Sequence, residues 1–170
     1  MVGDIPSPRR NHSATLVRDS IIIVFGGVGG EKGLDYFNDT FTLDTFSRKW
    51  SLLRFADDVA LPPARRGHST VAYGDRIILF GGGSSDGPRN DLWVLDLHLG
   101  EDLFWQRVDI EDGPVPAPRG YHTATTIGNT MMLIGGTDGR TCFDDIWMLN
   151  LGKPLGLLFT EPTSDPQWNQ

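Results

Sequence analysis

The stretch Arg65-Arg66-Gly67-His68-Ser69-Thr70-Val71-Ala72-Tyr73-Gly74-Asp75-Arg76-Ile77-Ile78-Leu79-Phe80-Gly81-Gly82, with its continuation Asn90-Asp91-Leu92-Trp93-Val94-Leu95-Asp96, decides the fold because it is written three times along the chain. His12, His68 and His122 recur at spacings of 56 and 54, each preceded three residues earlier by Arg9, Arg65 or Arg119. Each histidine is followed by an apolar run closed by a glycine pair: Ile21 to Gly27, Ile77 to Gly82 and Met131 to Gly136. Asn38-Asp39, Asn90-Asp91 and Asp144-Asp145 each open a further apolar run, and each unit ends on a tryptophan, Trp50, Trp105 or Trp168.

Each unit reads as four short strands. The His-Ser/Thr segment, the glycine-pair run, the Asn/Asp-led run and the tryptophan segment follow in order, with Gly74-Asp75 and Gly128-Asn129 as turn dipeptides between the first two. Short strands joined by tight turns form an antiparallel meander. A four-stranded meander repeated every ~50 residues is the signature of a propeller blade. The expected fold is therefore all-β: three four-stranded antiparallel blades, spanning residues 6–60, 61–116 and 117–170, that form a partial, open propeller.

The Arg-x-x-His-Ser pattern, the Phe-Gly-Gly ending, Asn90-Asp91-Leu92-Trp93-Val94-Leu95-Asp96 and the spaced tryptophans resemble the kelch repeat, over residues 6 to 170. A WD-type repeat fits less well, because Gly67-His68 is present but no Trp-Asp closes a unit. In style the repeats are similar to the kelch segments of plant F-box and light-sensing F-box proteins, and also to those of vesicle-traffic and transcription cofactors. The resemblance implies a non-enzymatic protein-interaction module. By likeness to F-box/kelch proteins it also implies substrate recognition for a ubiquitin ligase, although no helical F-box segment stands in this chain. Enzymes built on kelch blades supply the alternative, a fragment of a galactose-oxidase-like or specifier-like metalloenzyme. The specifier pattern Glu-x3-Asp-x3-His is incomplete here, since Glu31 and Asp35 are followed by Asp39, and no His-Tyr-Cys constellation suits copper.

Composition agrees with the repeat. Glycine, at 21 of 170 residues beside 11 prolines, argues against a helical bundle. The net charge of −7 argues against general nucleic-acid binding, which needs a basic face. A single cysteine, Cys142, forms no internal disulfide, and Met1 to Pro6 carry neither a basic n-region nor an apolar stretch. A cytoplasmic or nuclear location is expected.

Motifs for small-molecule chemistry are weak. Gly26-Gly27-Val28-Gly29-Gly30-Glu31-Lys32 lacks the Gly-Lys-Ser/Thr of a phosphate loop and no helix follows it. Equivalent histidines in different blades stand too far apart to share a metal, whose nitrogens sit at ~2.0 Å. No cofactor and no metal is expected. The recurring residues carry structural expectations instead: the glycine pairs allow close backbone approach, the tryptophans plug the spaces between blades, and the three arginines stack or hydrogen-bond to carbonyls of the adjacent blade.

Function is expected in the loops. In a meander, the link before strand one and the link between strands two and three lie on one face. Those links vary between units while the strands do not, and variable loops on a rigid scaffold carry recognition. Arg10, Asn11, Lys32, Arg66, Asp86, Arg89, Tyr121 and Arg140 are the candidate partner-binding residues. They give this face a basic cast that suits a protein segment with acidic or hydrogen-bond-accepting groups. Neutralisation of these arginines by Asp86, Asp138 or Glu31 is the competing expectation.

Propellers close with 4–8 blades. Three blades with a barely begun last strand therefore predict either a segment of a longer propeller, the preferred reading, or two copies closing a six-bladed ring.

Overall fold

The structure is a computed structural model that describes residues 1–99, 103–109, 114–152 and 168–169. Its strands fall into three antiparallel blades in chain order. Blade 1 holds β1 (Val2–Gly3), β2 (Arg9–Arg10), β3 (Ser13–Val17), β4 (Ile21–Gly29), β5 (Asp35–Asp44) and β6 (Lys49–Leu52). Blade 2 holds β7 (Ser69–Tyr73), β8 (Arg76–Phe80), a small hairpin of β9 (Gly83–Ser84) and β10 (Gly87–Pro88), β11 (Leu92–Asp96) and β12 (Trp105–Val108). Blade 3 holds β13 (Thr123–Ile127), β14 (Thr130–Ile134), β15 (Ile146–Asn150) and β16 (Trp168–Asn169). The stretch 153–167 before β16 lies outside the described residues, and so does the side chain of Trp168.

Each blade is the expected meander. In blade 2 the order is β12-β11-β8-β7, with Leu92↔Phe80 and Ser69↔Phe80 setting the register. Blade 3 repeats it as β13-β14-β15-β16. Blade 1 adds β1, which runs parallel to β6 with Val2 opposite Lys49 and Gly3 opposite Trp50. Two residues are too short for a period-2 pattern, so nothing in the sequence marks β1 as a strand. The result is an open, partial β-propeller.

The core lies between blades rather than within them. Val17, Ile23 and Phe25 of blade 1 pack against Ile77, Leu79, Trp93, Leu95 and Trp105 on one face of blade 2. Val71, Ile78, Phe80, Leu92, Val94 and Val108 on its other face pack against Met131, Leu133, Trp147, Leu149 and Leu151 of blade 3. Residues alternate across a strand, so β8 and β11 need to be apolar at nearly every position to serve both faces. Trp105 shows how a plug works: its ring lies 5.1 Å from Phe25, and its indole N–H donates to Thr40 Oγ1 at 3.1 Å in the preceding blade.

The glycine pairs behave as their position demands. Gly26 and Gly81 take φ of 62° in both cases, and a Cβ there would stand 3.0 Å from the Arg65 carbonyl or 2.8 Å from the Arg119 carbonyl of the next blade. Close approach and left-handed backbone both require glycine.

The arginine expectation needs correction. The side chains of Arg9, Arg65 and Arg119 bond within their own blades, not to the adjacent one. Arg65 donates to Gly81 O at 2.8 Å, to Pro63 O at 2.9 Å, and through two nitrogens to the Asp91 carboxylate at 2.7 Å each. Arg9 makes the same fork with Asp39, and Arg119 with Asp145. A planar guanidinium matches a carboxylate bidentately, and the second residue of each Asn/Asp pair supplies it. What crosses to the neighbouring blade is the arginine backbone: Arg65 N–H donates to Phe37 O at 3.0 Å, and Arg65 O accepts from Gly27 N–H at 2.8 Å.

Candidate interaction face

Backbone bridges place the candidate loops together. Arg10 pairs with Val28, Arg66 with Gly83, and Gly120 with Thr137. Each of these ties the link before a blade's first strand to the start of its second-to-third link, so both kinds of loop share one end of the arc. Between blades 2 and 3 they enclose a pocket of about 200 Å³ lined by Arg66, Ser84, Pro88, Tyr121, Thr137 and Asp138, with Gly83, Gly87, Gly120 and Gly139 in its walls. The glycines leave backbone exposed where side chains would fill the space.

The candidate residues divide by what they touch. Arg66 and Tyr121 line the pocket. The Arg66 guanidinium, half-buried, stands 5.4 Å from the Tyr36 ring and makes no ion pair among the described residues. Tyr121 is exposed, holds φ of 59°, and lays its ring against Gly67, where a Cβ would come within 3.2 Å. Asp86 and Arg89 belong to the adjoining hairpin and face each other at 3.7 Å. Arg89 occupies the place that Phe37 and Phe143 hold in the other blades, where those rings stack on Arg9 at 4.3 Å and Arg119 at 4.0 Å. Its Nε is buried without a hydrogen-bond partner among the described residues.

Arg10 and Lys32 lie on blade 1. Arg10 donates to Gly33 O at 3.2 Å, and Lys32 is exposed at the loop tip. Asn11 is exposed with φ of 57°, and its carbonyl accepts from Gly67 N–H. Arg140 is exposed at the blade 3 tip, where the Asp138 carboxylate accepts backbone N–H from Arg140 and Thr141. Those two bonds hold the Asp138 carboxyl below its usual range. Of the carboxylates that could neutralise this face, Asp86 takes Arg89 and Asp138 takes backbone, while Arg66 and Arg140 keep unpaired guanidinium groups among the described residues. Tyr36, Ser84, Pro88 and Thr137 were not singled out by sequence. They sit between the glycine pair and the Asn/Asp pair of their units, where the sequence differs from unit to unit, and no recurrence marks them.

Two of the three recurrent histidines serve the junctions between blades. His68 Nε2 meets Ser13 Oγ at 2.9 Å and His122 Nε2 meets Ser69 Oγ at 2.8 Å, each in the preceding blade. The rings pack edge-on against Phe25 and Phe80. Burial first, then the charge of Arg65, pushes His68 down to about 3, and burial with Arg119 pushes His122 down to about 4. Both imidazoles are therefore neutral at pH 7. Cys142 is exposed. Among the described residues no helix is long and apolar enough to cross a membrane.

Comparison with known proteins agrees with this geometry. The family model described as the KLHDC2/KLHL20/DRC7 Kelch-repeats domain matches residues 1–155. The chain is 35% identical to Tip elongation aberrant protein 1 of Schizosaccharomyces pombe, over 86% of this chain and 13% of that protein. It is 32% identical to the F-box/kelch-repeat protein At1g51550 of Arabidopsis thaliana, over 89% of this chain and 32% of that protein. It is 33% identical to the flagellar outer-arm dynein alpha chain of Chlamydomonas reinhardtii, over 89% of this chain and 3% of that protein. The chain thus spans less than a third of the length of each of these relatives.

Proposed function

We propose a function from one premise: this chain belongs to the kelch-repeat family, whose domains are generally non-enzymatic interaction modules. On our reading it binds a protein segment rich in carboxylates or other hydrogen-bond acceptors across the loop face. The pocket between blades 2 and 3 takes the central contact. The observation that carries this reading is Arg66: half-buried at the pocket wall, stacked on Tyr36 and not spent on a carboxylate. A guanidinium held in place but unpaired loses little freedom on binding and offers a fork to a planar acceptor. Tyr121 beside it adds a rigid ring and a hydroxyl, a side chain favoured at interaction centres. Arg10, Lys32 and Arg140 extend the positive rim on a chain whose net charge is −7, which steers acidic partners to this end of the arc.

Likeness to the Arabidopsis F-box/kelch protein supports a role for the whole protein in recruiting substrates to a ubiquitin ligase, in the cytoplasm or nucleus. The test is fluorescence anisotropy with labelled octapeptides of alternating Glu-Gly or Lys-Gly. The acidic peptide is expected to bind, with an affinity that falls as salt rises, and the Arg66→Glu, Arg140→Glu double variant to weaken it at least tenfold. Equal binding of both peptides, or a double variant that binds as well as the parent, would sink the proposal.

A further inference from the structure

Blade 3 turns an unmatched face to solvent. Ile127, Ile134, Ile146 and Met148 are 62%, 42%, 47% and 42% exposed. By position in the repeat they answer to Tyr73, Phe80, Leu92 and Val94, the side of blade 2 that blade 3 covers. At the other end of the arc, Phe41, Leu43 and Trp50 of blade 1 answer to Trp93, Leu95 and Trp105, the side of blade 2 that blade 1 covers.

The polar groups tell the same story and in more detail. At both internal junctions the histidine of the later blade bonds the hydroxyl of the earlier one, His68 to Ser13 and His122 to Ser69. At both, the second glycine of the earlier blade donates to the arginine carbonyl of the later, Gly27 to Arg65 and Gly82 to Arg119. At both, an N–H of the later blade donates to the link of the earlier, Gly67 to Asn11 O and Tyr121 to Gly67 O. On blade 3 the corresponding groups are Thr123 Oγ1, Gly136 N–H and Tyr121 O, and none has a partner among the described residues. On blade 1 the exposed ring of His12 is likewise without one. Gly135 keeps the left-handed φ of 63° that Gly26 and Gly81 need against a neighbour's carbonyl, yet nothing of a next blade is near it.

From these matched halves we infer that the outer face of blade 3 docks blade 1 of a second copy of this chain, and that two copies close a six-bladed ring. The occupant is a second copy because the face that would complete blade 3 is carried by blade 1 of the same chain, where Phe41 is buried and Leu43 and Trp50 are half-buried. Hydrophobic side chains, a histidine and an arginine link are all in the order that the internal junctions use. A twofold axis then forms both missing junctions at once. Six blades fall within the range in which propellers close.

Light scattering on the eluting protein, loaded at tens of micromolar, tests the inference. A mass of about 38 kDa is expected, twice the 18.8 kDa of one chain, and Met148→Glu, an exposed position in the monomer, is expected to return it to the mass of one chain. Cross-linking gives an independent arm in the Cys142→Ser background. One copy carries His12→Cys, the other Thr123→Cys, on tags of different size, and a short bismaleimide joins them. A mixed dimer that forms only when both variants are present supports the docking. A monomer at every concentration would mean that solvent or some other blade covers this face, and would overturn it. So would a dimer insensitive to Met148→Glu that yields no mixed cross-link, and a ladder of larger oligomers would overturn ring closure.

Discussion

Blade 2 and blade 3 are built from nearly the same repeat, yet they meet different surroundings. Ile77 to Phe80 and Leu92 to Leu95 are buried without exception, whereas β14 and β15 alternate between buried and exposed. Identical backbone topology therefore carries two different energetic roles, and the neighbours decide which. A repeat protein gains stability from each unit and from each interface between units. Blade 2 has two such interfaces in the chain, and blades 1 and 3 have one each.

The buried arginine fork should show the largest difference. The Arg65 side chain is 0% exposed and its partner Asp91 13%, while Asp39, which faces Arg9, is 30% exposed. Burial raises the Asp91 carboxyl, but the hydrogen bonds and charge of Arg65 outweigh it and the net shift is downward. Removing one partner of a buried pair costs about 3–5 kcal/mol. Arg65→Ala is expected to lose that much in urea unfolding, and Arg9→Ala clearly less. Equal losses would show that the central blade is not special.

The tryptophans make the same contrast in apolar terms. Trp105 is buried between blades, and Trp105→Ala should cost about 3–5 kcal/mol through the cavity it leaves. Trp50, half-buried, packs on Phe41 at 6.5 Å and donates to the Met1 sulfur at 3.3 Å. In a chain kept monomeric by Met148→Glu its removal should cost about 1 kcal/mol, in keeping with partial burial of an apolar side chain. A Trp50→Ala loss as large as that of Trp105→Ala would reveal a covered flank, which is what ring closure by a second copy produces.

Acid sharpens the comparison between His12 and its two buried equivalents. A folded-state pKa of about 3 for His68 and about 4 for His122, against ~6.5 unfolded, means that the unfolded chain binds protons that the native chain refuses. The stabilisation is fully present above pH ~6.5 and falls as pH drops toward 4, by about 1.4 kcal/mol per pH unit for each histidine. Unfolding free energies measured between pH 6.5 and 4.5 should show this slope, and His68→Gln should reduce it by about half. His12, exposed and with its pKa lowered by partial burial and Arg9, should contribute less.

How much of this could be read from the chain follows from what recurrence encodes. Arg65, His68, the glycine pair and Trp105 stood out because the fold needs them in every blade, so the blades and their order were legible. The carboxylate partner of each arginine was not identified, although Asp91 and Asp145 lie at a constant offset of 26 from their arginines. A period announces that two residues both matter, not that they touch. Trp50 shows the opposite limit: its place in the repeat implies an interblade plug, but in the structure it is only half-buried, against Phe41 and Met1. The interaction face was legible as a set of loops, because the meander fixes which turns share an end. Its detail was not, since Arg66 of blade 2 meets Tyr36 on β5 of blade 1, a contact between blades that no recurring position marks.

The hydroxyl ladder gives the smallest and most specific test. Ser69→Ala removes the partner of His122 Nε2 at 2.8 Å and leaves a buried ring nitrogen unsatisfied, a loss of about 1–3 kcal/mol. Ser13→Ala should act alike through His68. Thr123 holds the same position in blade 3 with no histidine against it, so Thr123→Val should be nearly neutral in a chain kept monomeric by Met148→Glu. In the parent chain the same substitution should cost as much as Ser13→Ala, because His12 of a second copy would then be the group deprived. Urea unfolding of the four variants decides it: a Thr123→Val effect that is the same with and without Met148→Glu would mean that this hydroxyl never meets a histidine.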